Sequence, residues 1–486
     1  MKKLLICLAL TGCAAVGPDY HEPVPVAPAT LSDWHAGSAE LLDPALRNGG
    51  PQAYALFDDT LLHSLQVRAM EANHDIRSAA LHFAQSRMQR NMSASEQGPQ
   101  LGARAGATRQ RTSEKGTATR LINVIAPNNR DMLIDTLSDP FSVYSAGFDA
   151  SWELDLWGRV RRSVEAADAH MAEASAVLHD VQLAVAVEVA RNYYETRAAQ
   201  RQQALLRADI AAAGELLELV QIRSRAGMAT DLDVERQNGL LAELRGRLPG
   251  ALEQEAQAIN RLTLLVGAAP GALQPELAGG ATALDAPFGH TPDLALGIAS
   301  EVVARRPDIQ SAESRLHAAT ARIGVAKADL YPRITLGMSF GLESLSGGKF
   351  GDWGSRQWSV GPSLSLPLFD NGRRRATVEL RELEQQEAAV NYQKTVLRAW
   401  HEVDDALNAY TAERQRQLQL KAREDSSRSA LQLSTTRYKQ GLSDALPVLD
   451  AQRNLLAAQR ERIQGEATLT LRLLAICKVA GLTPQS

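Results

Sequence analysis

Residues 163–226 read SVEAADAHMAEASAVLHDVQLAVAVEVARNYYETRAAQRQQALLRADIAAAGELLELVQIRSRA, and this stretch decides the fold. It holds no proline and one glycine, Gly214, and is dominated by Ala, Leu, Glu, Gln and Arg, which are strong helix formers. As a single helix it spans roughly 95 Å at the usual rise per residue, more than a compact globule accommodates. Working outward, residues 375–440 form a second segment of the same kind. Residues 232–266 and 446–481 follow the two long segments as helices about half as long.

The two long segments are copies. Trp157-Gly158-Arg159 matches Asn371-Gly372-Arg373, and at the same offset Gly227 meets Gly441, Leu232 meets Leu446, Val234 meets Val448 and Gly267 meets Gly481. Upstream, Asp75-Ile76 matches Asp308-Ile309 and Pro99 matches Pro332 at a larger offset, so the first copy carries extra residues. These fall between Arg104 and Tyr144, a polar stretch with Gly116, Pro127, Asn128 and Asn129 that reads as an enlarged loop. Two copies of this size make a duplicated fold rather than a solenoid.

Each copy also carries strand signals. Trp358, Val360, Pro362, Leu364, Leu366 and Leu368 alternate with Ser359, Gly361, Ser363 and Ser365, and Ile334, Leu336, Met338, Phe340 and Leu342 alternate with polar or glycine positions. Tyr144 to Leu154 repeats the pattern, and Leu101 to Thr108 does so more weakly. An apolar face, a polar face and aromatics near strand ends suit a transmembrane barrel wall, or half of a soluble sandwich. Four strands cannot close a barrel, for which about eight is the minimum; three chains would supply twelve.

The turns between long and short helices are well marked. Arg223 and Arg225 precede Gly227, with Thr230 before Leu232; Arg437 and Lys439 precede Gly441, with Asp444 before Leu446. Cations suit a helix C-terminus, glycine the left-handed position after it, and Thr or Asp the next N-cap, with Pro447 tolerated in a first turn. The expected turn is about three residues long.

At the N-terminus, Lys2 and Lys3, an apolar run from Leu4 to Leu10 and Leu10-Thr11-Gly12-Cys13 read as a signal ending in a bacterial lipobox, with Cys13 as the lipid acceptor. The alternative is an ordinary secretory signal with Cys13 incidental. Cys7 leaves with the signal and Cys477 remains alone in an apolar segment, so no disulfide framework is expected and Cys477 reads as a small buried hydrophobe. The expected organisation is a signal peptide (1–12), a lipid-anchored Pro-rich segment (13–50), a first copy (51–267), a Gly/Pro-rich linker (268–297) and a second copy (298–486).

The chain has 486 residues, 45% of them hydrophobic, and a net charge of -4, so it lacks the basic excess that a nucleic-acid surface needs. Past the start there is no apolar run of the length a membrane helix requires. No H-E-x-x-H, Cys-x-x-Cys or dinucleotide fingerprint appears, and the nearest phosphate-loop match, Gly341 to Lys349, has Glu343 where a glycine belongs. The expectation is that the chain is not an enzyme and uses no cofactor or metal.

The lipobox, duplicated halves, strand pairs and long hairpins together resemble the TolC-like outer-membrane efflux factors, in the lipoprotein branch that serves resistance-nodulation-division tripartite pumps. The most specific residues are Arg305-Arg306-Pro307-Asp308-Ile309, then Ala321-Arg322-Ile323-Gly324-Val325-Ala326-Lys327-Ala328, Tyr331-Pro332, and the hairpin from Gly441 to Gln452. The resemblance implies a mixed α and β fold: a long antiparallel helical tunnel plus four transmembrane strands per chain, joined in a homotrimer with a twelve-stranded barrel. It implies an outer-membrane location anchored in lipid and reaching into the periplasm, with a periplasmic adaptor protein and an inner-membrane transporter as partners. It further implies a gate at Leu446 and Asp450, and adaptor contacts at the hairpin tips Gly227, Met228, Gly441 and Leu442. Taken by themselves, Leu446 reads as a packing residue, Asp450 as a solvated helix charge, and the two glycines as turn chemistry. Some relatives carry a further aspartate where Pro447 stands and an arginine where Ser443 stands, so a two-carboxylate or arginine-latched gate is not expected here. The implied function is passive export of small molecules; a protein-secretion duct of the type I kind and a non-conducting periplasmic scaffold are the alternatives.

Overall fold

The computed structural model describes residues 15–23, 37–38, 59–116, 129–278 and 305–481. In chain order the elements are α1 (Thr60–Ala72), α2 (His74–Ser95), β1 (Gln100–Gln110), α3 (Arg130–Ser138), β2 (Phe141–Glu153) and α4 (Arg159–Arg225). They continue with α5 (Asp231–Leu265), α6 (Gln274–Leu277), α7 (Pro307–Ala328), β3 (Arg333–Ser344), β4 (Arg356–Ser365), α8 (Arg373–Lys439) and α9 (Leu446–Val479). Both long helices, α4 and α8, run for 67 residues. The duplication is thus carried into the elements: helix, strand, strand, long helix, shorter helix, twice over. Among the described residues no helix is long and apolar enough to cross a membrane.

The chain forms two compact units. One comprises Met1–His21, Gln85–Met171 and Arg315–Ala389; the other comprises Glu22–Ala84, Ala172–Ser314 and Val390–Ser486.

The first unit holds one antiparallel sheet of order β1-β2-β3-β4. The registers set side chains in rows: Ala103, Phe148, Phe340 and Trp358 form one, and Leu101, Ala150, Met338 and Val360 the next. This apolar face is uncovered in the chain, with Phe148, Phe340, Met338, Val360 and Trp358 all exposed. The other face is polar or small, with Gly102, Asp149, Ser339 and Ser359 in one row and Arg104, Gly147, Gly341 and Gln357 in another. Ser339 and Ser359 share a hydrogen bond of 2.8 Å across β3 and β4. All four strands expected from alternation are present, including the weak one, which extends from Gln100 to Gln110.

Where the strands meet the helices the chain is tied by charge and stacking. Trp157 stacks on Tyr331 at 4.7 Å and donates its Nε1–H to the Pro332 carbonyl at 2.9 Å. Arg159 pairs with Glu153 at 2.9 Å, and Arg333 reaches the same carboxylate at 3.6 Å. The N-terminal strap docks here too: the Val16 N–H donates to the Trp157 carbonyl, Asp19 pairs with Arg162 at 2.6 Å, and Tyr20 stacks on His317.

The second unit is helical. Its largest core gathers Leu62, Leu65 and Ala69 of α1, Val189, Tyr193 and Tyr194 of α4, Leu262 of α5 and Leu474 of α9. Leu273 and Leu277, at the start of the expected linker, are fully buried in the same core, and the Leu277 carbonyl accepts from Arg197 and Gln200. Residues 279–297 of that linker lie outside the described residues. Arg306, within the sequence's most specific segment, is 7% exposed; it pairs with Asp308 at 2.8 Å and Glu402 at 2.6 Å and donates to the Val479 carbonyl. One side chain therefore joins α7, α8 and the end of α9. Burial pushes the Cys477 thiol up to about 12, as expected of a small buried hydrophobe.

The helical stretch over residues 60–95 breaks at Asn73, whose side-chain oxygen accepts from the Asp75 and Ile76 N–H groups and so starts α2. Two local expectations are corrected. The enlarged loop of the first copy contains α3, a helix of nine residues that its polar, proline-bearing surroundings concealed. Both hairpin turns are longer than three residues, running over 226–230 and 440–445.

Candidate functional site

The two hairpins between long and short helices carry the site residues expected from sequence. Both close by the same device, which the local sequence dictates. The Gly227 N–H donates to Ser224 and the Met228 N–H to Arg223; in the second copy Gly441 donates to Tyr438 and Leu442 to Arg437. This pair of bonds requires a left-handed residue after the helix, and Gly227 at φ 70° and Gly441 at φ 73° provide it without a Cβ penalty. The next residues, Met228 and Leu442, are pushed outward and are 69% and 66% exposed. Small backbone and one protruding apolar side chain thus form each tip.

The starts of α5 and α9 differ. Thr230 caps α5 as expected, and Asp233 returns a bond to the Thr230 N–H, making a reciprocal capping box. The N-cap expected at Asp444 is not formed: Ala445 stands at the cap in helical conformation and no side chain bonds the free N–H groups. Pro447 in the first turn removes one of those orphan donors, which is why the end tolerates an absent cap.

Leu446 and Asp450 are one turn apart on α9 and both are exposed, with Arg453 and Asn454 continuing the same face. The opposite face is buried through Val448, Leu449 and Gln452. The structure therefore brings Leu446 and Asp450 together on a free helical stripe backed by a packed one. Cys13 lies outside the described residues. Among the described residues no cluster of three His, Cys, Asp or Glu is placed to hold a metal ion.

One contact between the hairpins escaped the sequence reading. Arg223, read above only as a helix-end cation, reaches the other hairpin: its guanidinium lies 4.0 Å from the Tyr438 ring centre and donates to the Tyr438 carbonyl at 2.9 Å and the Lys439 carbonyl at 3.4 Å. It so caps the C-terminus of α8 from another helix, where a cation is favoured. Leu216 and Leu219 of α4 pack beside it against Tyr438, Ala445 and Val448. No spacing rule links residues this far apart, so no sequence signal marked the pair. Arg223→Ala removes a cation–π contact and charged hydrogen bonds worth about 1–2 kcal/mol together at a partly exposed site. Amide exchange over 438–445 should then quicken by roughly tenfold; unchanged exchange would show that Arg223 does not hold the hairpins together.

Comparison with known proteins agrees with this fold. A family described as outer membrane efflux protein matches residues 65–268 and 298–482, one match to each copy. The chain is 32% identical over 484 residues to the outer membrane protein OprJ of Pseudomonas aeruginosa, covering 98% of this chain and 94% of that one. It is 30% identical over 463 residues to the toluene efflux pump outer membrane protein TtgI of Pseudomonas putida, covering 94% and 93%. Among solved structures, the outer-membrane channel OprN superposes with a TM-score of 0.84 at 29% identity, covering 97% of this chain and all of that one. The open state of the MtrE outer membrane channel of Neisseria gonorrhoeae gives 0.78 at 27% identity, covering 96% and 98%. The chain belongs to the outer membrane efflux protein family, whose members are transporters of the outer membrane.

Proposed function

We propose that three copies of this chain join their sheets into a twelve-stranded barrel and their helices into a periplasmic duct, passing small organic molecules outward from an inner-membrane transporter. A periplasmic adaptor protein grips the tips at Gly227, Met228, Gly441 and Leu442, and Cys13 carries the lipid that tethers each chain. Leu446 and Asp450 constrict the inner end of the duct, the leucines by dewetting and the aspartates by repelling one another and drawing cations. The single observation that carries this reading is the sheet. Its strands of 10 to 13 residues match what a tilted strand needs to cross a bilayer. Among the described residues, one of its faces is apolar and uncovered, and β1 and β4 have no neighbour on their outer edges. A sheet of this kind is unstable alone in lipid, where every backbone group must be paired, and is satisfied by neighbouring copies.

Other observations support particular parts. The strap at residues 16–20 is fixed beside the strand ends. The uncapped start of α9, against the doubly bonded start of α5, leaves the segment bearing Leu446 and Asp450 the more easily displaced of the two. The toluene pump named for TtgI points to small apolar cargo rather than to a secreted protein.

The sheet reading is tested with tryptophan fluorescence in lipid brominated along its acyl chains. Trp358 should account for a large share of the quenching, so that Trp358→Phe lowers the quenched fraction. Equal quenching with and without Trp358 would place this face outside the hydrocarbon and remove the main support for the barrel.

A further inference from the structure

The two copies agree pair by pair within the sheet. Gln100 of β1 faces Ser151 of β2, and Ala103 faces Phe148. Moved by the offsets that relate the copies, these become Arg333 with Ser365 and Leu336 with Pro362, and both are pairs of β3 with β4. The sheet contains one joint between copies, that of β2 with β3. β1 and β4, the counterparts of β3 and β2, have no neighbour on their outer edges among the described residues. A ring built from identical chains repeats its joints, so β4 meets β1 of the next chain as β2 meets β3. Under the same offsets, Ala150 with Met338 becomes Leu364 with Ala105, and Trp152 with Leu336 becomes Leu366 with Ala103.

A second observation points to the same register. In sequence the apolar alternation continues to Leu368, yet β4 ends at Ser365, because β3 starts at Arg333 and offers nothing beyond it. Leu366, Leu368 and Phe369 are left exposed, Leu368 at 89%. The transferred register carries β1 of the next chain past Ser365 as far as Phe369, opposite Gln100, and sets Leu368 against Leu101, itself 75% exposed.

We propose that β4 of one chain pairs antiparallel with β1 of the next in the register of the β2–β3 joint. Leu364, Leu366 and Leu368 then lie beside Ala105, Ala103 and Leu101 of the neighbouring chain. The proposal rests on the reading of three chains as one barrel and assigns the seam that closes it. A slip of one residue would pair the leucines with Gly102 and Arg104 of the polar face, and the alternation rules it out. The seam is weaker than the joint it copies. Leu154 donates its N–H to the Ile334 carbonyl, so every second pair from there is hydrogen-bonded, Phe148 with Phe340 among them. Pro362 stands where Phe148 does and has no N–H to give.

Cross-linking of the full-length protein in lipid discs tests the register. Asp149 with Ser339 and Ser151 with Gly337 lie between bonded pairs, where Cβ atoms are closest and cysteines link most readily. Their counterparts at the seam are Ser363 with Gly106 and Ser365 with Arg104. Ser363→Cys with Gly106→Cys, and Ser365→Cys with Arg104→Cys, should each give a covalent trimer on mild oxidation. Exchanging the partners, Ser363→Cys with Arg104→Cys and Ser365→Cys with Gly106→Cys, samples a slip of two residues in either direction. These should yield at least tenfold less, since diagonal neighbours lie about 7–8 Å apart. Cys477 is buried and does not compete. The two matched pairs share no residue, so if one folds poorly the other decides. A swapped pair that links as well as the matched ones overturns the register. Native mass separates this proposal from the reading beneath it: a verified trimer that links through no pair overturns the seam and leaves the trimer standing, whereas a native chain that is monomeric in lipid overturns both.

Discussion

Gly341→Val should abolish assembly of the sheet while Gly361→Ala leaves it intact. Gly147 and Gly341 are directly opposed on β2 and β3, on the polar face. A Cβ added at Gly341 would lie 2.8 Å from the Ala146 carbonyl oxygen and 3.1 Å from the Gly147 Cα, and one at Gly147 would lie 2.7 Å from the Phe340 carbonyl oxygen. These neighbours are backbone atoms held by the strand ladder, so they cannot rotate away as a side chain does. The larger side chain forces the central pair of strands apart, at a cost of about 3 kcal/mol or more, with ladder bonds lost in addition. A Cβ added at Gly361 would meet nothing within 4 Å, which makes this position the control. Membrane-inserted trimer, measured by mass after extraction in mild detergent, should fall more than tenfold for Gly341→Val and change little for Gly361→Ala. Equal yields would mean that the close approach of β2 and β3 does not govern assembly.

The second large effect concerns the exposed stripe of α9. In Leu446→Ala combined with Asp450→Ala, the apolar ring and the charged ring proposed for the duct's inner end are both removed. Neither side chain supports the fold: both are exposed, while Val448, Leu449 and Gln452 behind them stay packed. Truncation therefore widens the passage without unfolding the helix. A dewetted constriction that gains room for water passes ions far more readily, so conductance should rise by roughly an order of magnitude. Loss of three carboxylates near the axis should also lower the preference for cations.

How far the sequence carries depends on the range of the interactions involved. Period-two alternation marked all four strands, because one face meets apolar surroundings and the other does not. The register that opposes Gly147 to Gly341 was not legible, since it depends on pairing between residues far apart in the chain. Helix ends built from consecutive residues, as at Gly227, Gly441 and Thr230, were read correctly. Asp444 failed because a suitable cap residue is not sufficient: the chain enters α9 through Ala445 in helical conformation, which puts the Asp444 side chain out of reach of the free N–H groups. The break at Asn73 was signalled by Asn before Asp-Ile but masked by helix formers on both sides.

The site was legible in the same partial way. That Leu446 and Asp450 share a face follows from their spacing of four. That this face is free rather than packed followed only from seeing what α4 and α5 cover. The contact of Arg223 with Tyr438 has no local signature, because it joins helices of different copies. Arg306 was singled out in sequence, yet its contacts with Asp308, Glu402 and the Val479 carbonyl give it a clasping role within the helical unit rather than a place at the gate.

The central claim, a trimeric duct closed at α9, is tested most directly by planar-bilayer recording on protein whose trimeric mass has been verified. The account expects small, cation-preferring currents from the native chain, and currents about ten times larger with weaker cation preference from the Leu446→Ala, Asp450→Ala double variant. A verified trimer that conducts in neither form would contradict it.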